Sequence, residues 1–512
     1  MPVLLPFDPS GICLDDGRGL ILQLYEQLRA RMLDGRLEAG VRLPASRDLA
    51  RALGVSRNTV LGAYEQLMAE GFTEARTGDG TYVALTDPEV TVGKGPALSS
   101  TGLSTAFGGG LPTGLSPERA VSTSSDIRYS PALLQAAAVG MAHPDAAAPR
   151  AFQVGLPAFD LFPFSVWGKL YSAFWRKPDL AMLGYQDPAG HLELRGMVAA
   201  YLRSSRGLAC TPDQIVITCG AQQGISLCAQ LLLQAGDCAA MENPGYRAAG
   251  HALASAGAHV VGISVDQDGL CCDELLQLDA CRLAYVTPAH QYPTGVTLSL
   301  PRRLQLLEWA RRSGAWIIED DYDGEYRYSG APLAPLAVLD GGGRVIYIGT
   351  FGKVAFPALR LGYLVLPVPL ARAFAQRRAI DMRHSEISSQ WVMAQFMARG
   401  HFQRHIRRMR KAALSRRDTL LSLWPKAIAG CSPMPEVSAG LHVKIDVTSL
   451  ARETQLVRLA AQVAVDIQPL SSYWLEAGGQ PVDKPGGLVL GFAGVNEAEI
   501  TRAVGRLRVA WK

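Results

Sequence analysis

Lys353 closes the run VIYIGTFGK, and Arg360 follows it seven residues later. Taken alone, a lysine in a Gly-rich segment is a solvated surface charge. A second run, AWIIEDDYD over residues 315–323, changes that reading. Its apolar half reads as a buried parallel strand and its acidic half as the carboxyl end of that strand, where open α/β sheets hold ligands. An amine, a buried acid and a phenol at one strand end are the groups that a pyridine aldehyde needs. The amine holds the aldehyde as an imine, and the acid keeps the ring nitrogen protonated so that the ring acts as an electron sink. Lys353, Asp320 and Tyr322 fill these roles, with Tyr322 bonded to the ring's 3'-oxygen. The implied cofactor is pyridoxal 5'-phosphate (PLP).

Its phosphate needs backbone N–H donors and a positive charge. The segment QIVITCGAQQG, residues 214–224, reads as strand, tight turn and helix start, and a helix N-terminus binds anions through its free N–H groups and its dipole. Thr350 and Arg360 flank Lys353 at spacings that bring both to the same phosphate. Tyr246 follows a Pro-Gly turn signal and is the candidate to stack on the pyridine face.

With these residues in view, the chain from about 151 to 512 resembles a fold-type I aminotransferase domain, an α/β fold with a smaller C-terminal α+β subdomain. The resemblance rests on HQYPTG at 290–295, on EDDYD at 319–323, and on GTFGK at 349–353 with Arg360. It implies Lys353 as the Schiff-base lysine, Asp320 and Tyr322 as ring partners, Tyr246 as the stacking ring, and Gly220, Ala221, Gln222, Thr350 and Arg360 as the phosphate cup. Tyr185, in LGYQDPAG, matches the tyrosine that reaches the partner subunit's phosphate in such folds, which implies a homodimer. Two positions depart from the pattern. Tyr292 stands where many relatives have an asparagine at the 3'-oxygen, leaving that contact to Tyr322, and Gly352 stands where a serine is common. A third departure concerns substrate. Such enzymes usually hold the substrate carboxylate with an arginine of the small domain, whose planar fork matches it. Here no arginine lies between Arg458 and Arg502, and the stretch offers only Lys484. That points away from transamination and away from an ordinary amino acid as ligand.

The elements ahead of this domain belong to another machine. Leu20, Leu22, Leu24, Leu28 and Met32 trace an amphipathic helix, followed by RLPASRDLARALGVSRNTV over residues 42–60. Ser46 and Ser56 read as N-caps on either side of a Gly-containing turn, which is helix-turn-helix spacing. Beyond it, residues 71–83 read as two short strands about a Gly-rich turn, a wing. Arg47, Ser56, Arg57, Asn58, Thr59, Arg76, Gly78 and Gly80 are the candidate contacts to base edges or phosphates. Charge does not carry this reading, since residues 18–85 hold nine arginines against eight carboxylates. The motifs resemble the GntR-type winged helix over residues 15–85, which implies double-stranded operator DNA as a partner.

Between the two machines, residues 86–150 lose periodicity and fill with Gly, Pro, Ser, Thr and Ala, as a flexible linker does. A winged helix joined by a long linker to an aminotransferase-like domain resembles the MocR subfamily of GntR regulators. That resemblance implies a multidomain transcriptional regulator in which PLP, or its adduct with an amino compound, alters how a dimer engages DNA. The genes under control would concern vitamin B6 or amino-compound metabolism. It also implies head-to-tail dimers with each winged helix near the partner's large domain. An active aminotransferase with an N-terminal DNA-binding extension is the alternative.

Composition agrees. A chain of 512 residues, 48% hydrophobic, buries more than one core, and a net charge of +4 confers no general affinity for nucleic acid. Nine cysteines without a CxxC pair argue for reduced thiols and against a zinc site. With no signal segment and no apolar run near the ~18 residues that cross a bilayer, a cytoplasmic location is expected and a membrane is not.

Overall fold

The computed structural model describes residues 9–15, 19–76, 79–84, 148–278, 280–329, 334–340, 343–475 and 485–511. The expected linker lies almost wholly outside them, as does Gly78.

The first unit is a winged helix. Helices α1 (Leu20–Leu33), α2 (Ser46–Leu53) and α3 (Arg57–Ala69) enclose Leu24, Leu28, Leu49, Val60, Ala63 and Leu67. Gly54 ends α2 in the left-handed region at φ 66, which glycine adopts without a Cβ clash. Two residues later the Ser56 side chain accepts a hydrogen bond from Thr59 N at 3.1 Å and caps α3, a contact worth about 1 kcal/mol. The other expected cap is corrected. Ala45 precedes α2 without a side-chain cap, and Ser46 instead accepts from Arg57 Nε at 3.2 Å, tying the two helices across the turn. Strands β1 (Thr73–Arg76) and β2 (Gly80–Val83) pair antiparallel, Thr73 opposite Val83, as the wing.

The large unit is built on eight strands among the described residues: β3 (Ile215–Thr218), β4 (Cys238–Asn243), β5 (His259–Asp266), β6 (Gly269–Leu270), β7 (Cys281–Val286), β8 (Trp316–Asp321), β9 (Val345–Thr350) and β10 (Gly362–Val365). Their order is β3-β10-β9-β8-β7-β4-β5-β6. The middle of the sheet is parallel, and β10 runs antiparallel between β3 and β9. Runs such as IVIT and VIYIGT are largely apolar and buried almost throughout because helices cover both faces. Successive residues therefore supply different cores. Ile318, Ile346 and Ile348 enter one, and Ile317, Val345 and Tyr347 the other. A smaller sheet, β11 (His442–Val447), β13 (Gly486–Gly491) and β12 (Gln468–Pro469) in that order, packs with α6 (Leu450–Gln462) and α7 (Glu497–Ala510) as the C-terminal subdomain.

The two units touch within one chain, where the resemblance implied a seat on the partner. Helix α5 (Leu300–Ser313) begins with Leu300, which is buried in the winged-helix core together with the partly buried Leu304 and Leu339. Gly71, at φ +76, lies so close that an added Cβ would sit 3.3 Å from Leu300 Cβ. No helix among the described residues is long and apolar enough to cross a membrane. Leu300→Ala should weaken the seat by about 2–5 kcal/mol, the usual range for a buried Leu→Ala change. Native-state hydrogen exchange should show this as faster exchange of α3 amides with β8 unchanged.

Candidate functional site

Strands β3, β4, β7, β8 and β9 end at one edge of the sheet, and β10, running the other way, starts there. Residues that follow five strands and residues that precede the sixth thus converge. Gly220 comes after β3, Tyr246 after β4, Thr287 after β7, Tyr322 after β8 and Lys353 after β9, while Arg360 and Leu361 lead into β10. They line a cavity of about 170 Å³ with Ala221, Gln222, Tyr285, Tyr292, Asp320 and Thr350.

Lys353 Nζ donates to Gly155 O at 2.9 Å. Burial holds the ammonium below the usual lysine range, against the pull of Asp323 and Asp320. Asp320 accepts from the Tyr285 hydroxyl at 2.7 Å through Oδ2, while its buried Oδ1 has no partner. Burial pushes this carboxyl up to about 7, so it shares a proton at neutral pH. An unpaired acceptor of this kind suits a protonated ring nitrogen. Asp321, one residue on, points to the opposite face, where it pairs with Arg206 Nε at 2.7 Å and accepts from the Tyr347 hydroxyl at 2.5 Å.

At the cavity wall, α4 (Gly220–Leu232) opens on Gly220 at φ +75. A Cβ there would meet the Arg360 guanidinium at 3.4 Å. Arg360 adopts φ 48 and donates to Cys219 O at 2.8 Å, which fixes its head over the helix N-terminus. Free N–H groups, a helix dipole and a guanidinium make an anion cradle, and Thr350 borders it. The donor set fits a phosphorylated pyridine: acid at one end, cradle at the other, lysine between.

Tyr246, Tyr292 and Tyr322 all line the cavity, and each also meets a neighbour. Tyr246 meets Tyr292 edge-on at 5.9 Å between ring centres. The Tyr322 hydroxyl lies 3.0 Å from His290 Nδ1, which also bonds Asp323 at 3.0 Å. Tyr292 turns its hydroxyl to that of Tyr473 at 3.3 Å. Tyr185 is not brought to the cavity; it is 85% exposed beneath the Arg383 guanidinium. Sequence reasoning missed Tyr285, Thr287 and Glu242. Glu242 accepts from Thr287 Oγ1 at 2.5 Å and is pushed up to about 7 by burial. The rule that found Asp320, polar residues at the end of an apolar run, would have found Thr287 after CRLAYV.

On the winged helix, Arg47, Ser56, Arg57 and Asn58 are exposed about the start of α3. Thr59 is corrected: it is 8% exposed, and both its N–H and hydroxyl are held by Ser56. Arg76 pairs with Glu74 at 2.8 Å and lies 4.3 Å over the Tyr82 ring, which stiffens the wing beside Gly80.

Residues 180–507 match the family described as Aminotransferase class I and II, and residues 20–83 match Bacterial regulatory proteins, gntR family. The chain is 35% identical to the Probable rhizopine catabolism regulatory protein MocR of Rhizobium meliloti, over 96% of this chain and 93% of that one. It is 32% identical to the HTH-type pyridoxine biosynthesis transcriptional regulator PdxR of Corynebacterium glutamicum, over 98% of each. A solved structure, LysN, the alpha-aminoadipate aminotransferase of Thermus thermophilus complexed with N-(5'-phosphopyridoxyl)-L-leucine, is similar at TM-score 0.62 and 26% identity, covering 70% of this chain and 91% of that one.

Burial pushes Asp320, Glu242 and Glu319 up to about 7 from the ordinary carboxyl values of 3.8, 4.5 and 4.5. Because each folded value is raised, the stability these acids contribute is full below about pH 4 and is lost as pH climbs through about 7. Asp320→Asn should therefore flatten the fall in urea midpoint of the PLP-free protein between those limits. The same variant should bind PLP at least about ten-fold more weakly, a loss of ~1.4 kcal/mol, in equilibrium dialysis.

Proposed function

The chain belongs to the MocR-type GntR transcriptional regulators, and on that premise we propose that Lys353 holds PLP and that the state of this site sets how the winged helix engages operator DNA. The observation that carries the reading is the unpaired Asp320 Oδ1 in one cavity with Lys353 and the Gly220–Arg360 cradle. When bound, PLP supplies an aldehyde that takes amines and a ring that draws electrons. The protein's part is to hold and orient it. Asp320 keeps a proton at the ring nitrogen, Gly220, Ala221, Gln222, Thr350 and Arg360 hold the phosphate, Tyr246 packs on the ring, and Tyr322 and Tyr292 line its 3'-oxygen side.

Coupling to DNA requires that ligand states favour different arrangements of the two units, since equal affinity for both shifts nothing. The route we favour runs through the other face of β8. Glu319 there accepts from the backbone N–H groups of Leu336 and Ala337 at 2.8 and 2.9 Å, beside buried Arg303 of α5. Arg303 in turn donates to Ala334 O at 2.7 Å, one turn along from the Leu300 seat. The signal is PLP itself or its adduct with an amino compound, and the controlled genes serve vitamin B6 or amino-compound metabolism. The working form is a cytoplasmic homodimer. Phe164, Trp175, Leu180, Leu183, Tyr185 and Leu192 support it, being large apolar side chains left exposed on neighbouring segments. Tyr185 would then serve the partner's site.

The test is fluorescence anisotropy on DNA from upstream of the protein's own gene at fixed salt, with and without PLP. PLP should change the affinity of the wild type several-fold and leave Lys353→Ala unmoved. Turnover of an amino acid and a keto acid without sequence-specific DNA binding would sink the regulator reading. Within the same assay, Arg57→Ala should cost about 1–3 kcal/mol if it reads a base. Arg76→Ala should instead lower the salt slope by about 1 with little change in sequence preference.

A further inference from the structure

Asp323 closes the acidic run that follows β8, and it is buried outside the cavity that Asp320 and Tyr322 line. Burial lowers the Lys353 ammonium, and of the two carboxylates that oppose this the stronger pull is that of Asp323. Its Oδ2 lies 3.0 Å from His290 Nδ1, and the same nitrogen lies 3.0 Å from the Tyr322 hydroxyl. A carboxylate only accepts, so the bond to Asp323 needs a proton on Nδ1. That nitrogen then has no lone pair left for the Tyr322 proton. Among the described residues no other group is hydrogen-bonded to this hydroxyl, and the side that remains to it is the cavity. Burial, and after it Asp323, push the Tyr322 phenol well above its usual range, so it keeps a proton to donate. The imidazole that arranges this is fixed from several sides. Gly440, at φ +82, comes so close that an added Cβ would sit 1.9 Å from His290 Cε1, and one on Gly295, at φ +80, would sit 3.2 Å from Nε2. His442 lies against the ring at 4.9 Å between centres and donates Nε2–H to Pro293 O at 3.0 Å. Burial keeps His442 far below the usual histidine range, so it is neutral and brings no competing charge.

We propose that Asp323 and His290 are positioning residues: Asp323 holds a proton on His290 Nδ1, and this proton turns the Tyr322 hydroxyl into the cavity as a donor to the cofactor's 3'-oxygen. The inference rests on the reading that PLP is held at Lys353, and it supplies the cause of the role given there to Tyr322. A donor at the 3'-oxygen favours its anionic form. With that oxygen satisfied by Tyr322, it grips a proton on the neighbouring Lys353 nitrogen less tightly, and the proton leaves at lower pH. Asp320, Glu242, Tyr292 and His442 also face this point, and they are common to every protein compared below.

Two measurements test it, one of which needs no cofactor. Full-length protein labelled with 15N-histidine, free of PLP, should show the His290 proton on Nδ1, the signal being assigned by its loss in His290→Asn. An unprotonated Nδ1 overturns the proposal. PLP-loaded protein is then titrated with pH and followed by the absorbance of the bound cofactor. His290→Leu, which removes the Nδ1–H, should tighten the proton on the Lys353 nitrogen at least about ten-fold, moving the midpoint up by about one pH unit. His290→Asn, whose amide can donate from near the place of Nδ1, should restore most of the shift. In a Tyr322→Phe background His290→Leu should move the midpoint no further, because no hydroxyl is left to turn. An equal shift with and without the Tyr322 hydroxyl would show that His290 acts by packing alone and overturns the proposal. Protein that does not retain PLP on gel filtration fails the cofactor reading instead, and the histidine spectrum still judges the Asp323–His290 pair.

Discussion

Three carboxylates in succession at the end of a strand cannot share one face of a sheet. The pleat sends Glu319 and Asp321 to one side of β8 and Asp320 to the other. Asp320 then looks into the cavity with one oxygen bonded to Tyr285 and one free, while Asp321 is neutralised by Arg206 and Glu319 by the N-terminus of a short helix. Removing any of those partners would leave a buried charge unpaired, at a cost far above that of an ordinary surface change. The cavity and the polar layer behind it are consequently two sides of one strand. A shift of β8 by one residue would exchange them and destroy both.

Much of this organisation was readable from residue order. Strand-end chemistry identifies Asp320, Lys353 and Gly220 because parallel strands buried on both faces are continuous apolar runs, and the polar residues that follow them stand out. The winged helix was readable for a different reason, since its cap at Ser56 and its left-handed Gly54 are local and need no tertiary partner. What escaped depends on contacts far apart in the chain. Thr59 has the composition of a DNA contact, yet its hydroxyl is held by Ser56 and the residue is buried. Ser46 was drawn from its cap by Arg57, eleven residues on. The hydroxyls of Tyr292 and Tyr322 meet Tyr473 and His290, and neither partner is announced by residue order. Leu300 opens its helix as any apolar first residue does, and nothing near it in the chain announces that it completes another unit's core.

The large unit keeps the fold it shares with aminotransferases of class I and II. The cradle at Gly220 and Arg360, the acid at Asp320 and the lysine between them form the part of the cavity whose donors and acceptors suit a phosphorylated pyridine. The C-terminal subdomain reaches this cavity at second hand, through the contact of Tyr473 with the hydroxyl of Tyr292. The cavity therefore depends on the large sheet for its polar groups and on the smaller sheet for the position of one aromatic wall.

The seat of the winged helix has a mechanical consequence. Helix α3 is 13 residues long, or about 20 Å at ~1.5 Å per residue. Its last turn leads into Gly71 and Phe72 against Leu300, and its first turn carries Arg57 and Asn58 in solvent. The helix is thus a lever with its fulcrum at the large unit and its free end at the DNA. Over an arm of about 20 Å, a tilt of roughly 10° moves the tip by about 3.5 Å, matching the ~3.4 Å between stacked bases. A rearrangement at α5 too small to disturb either core would still carry the reading end from one base step to the next.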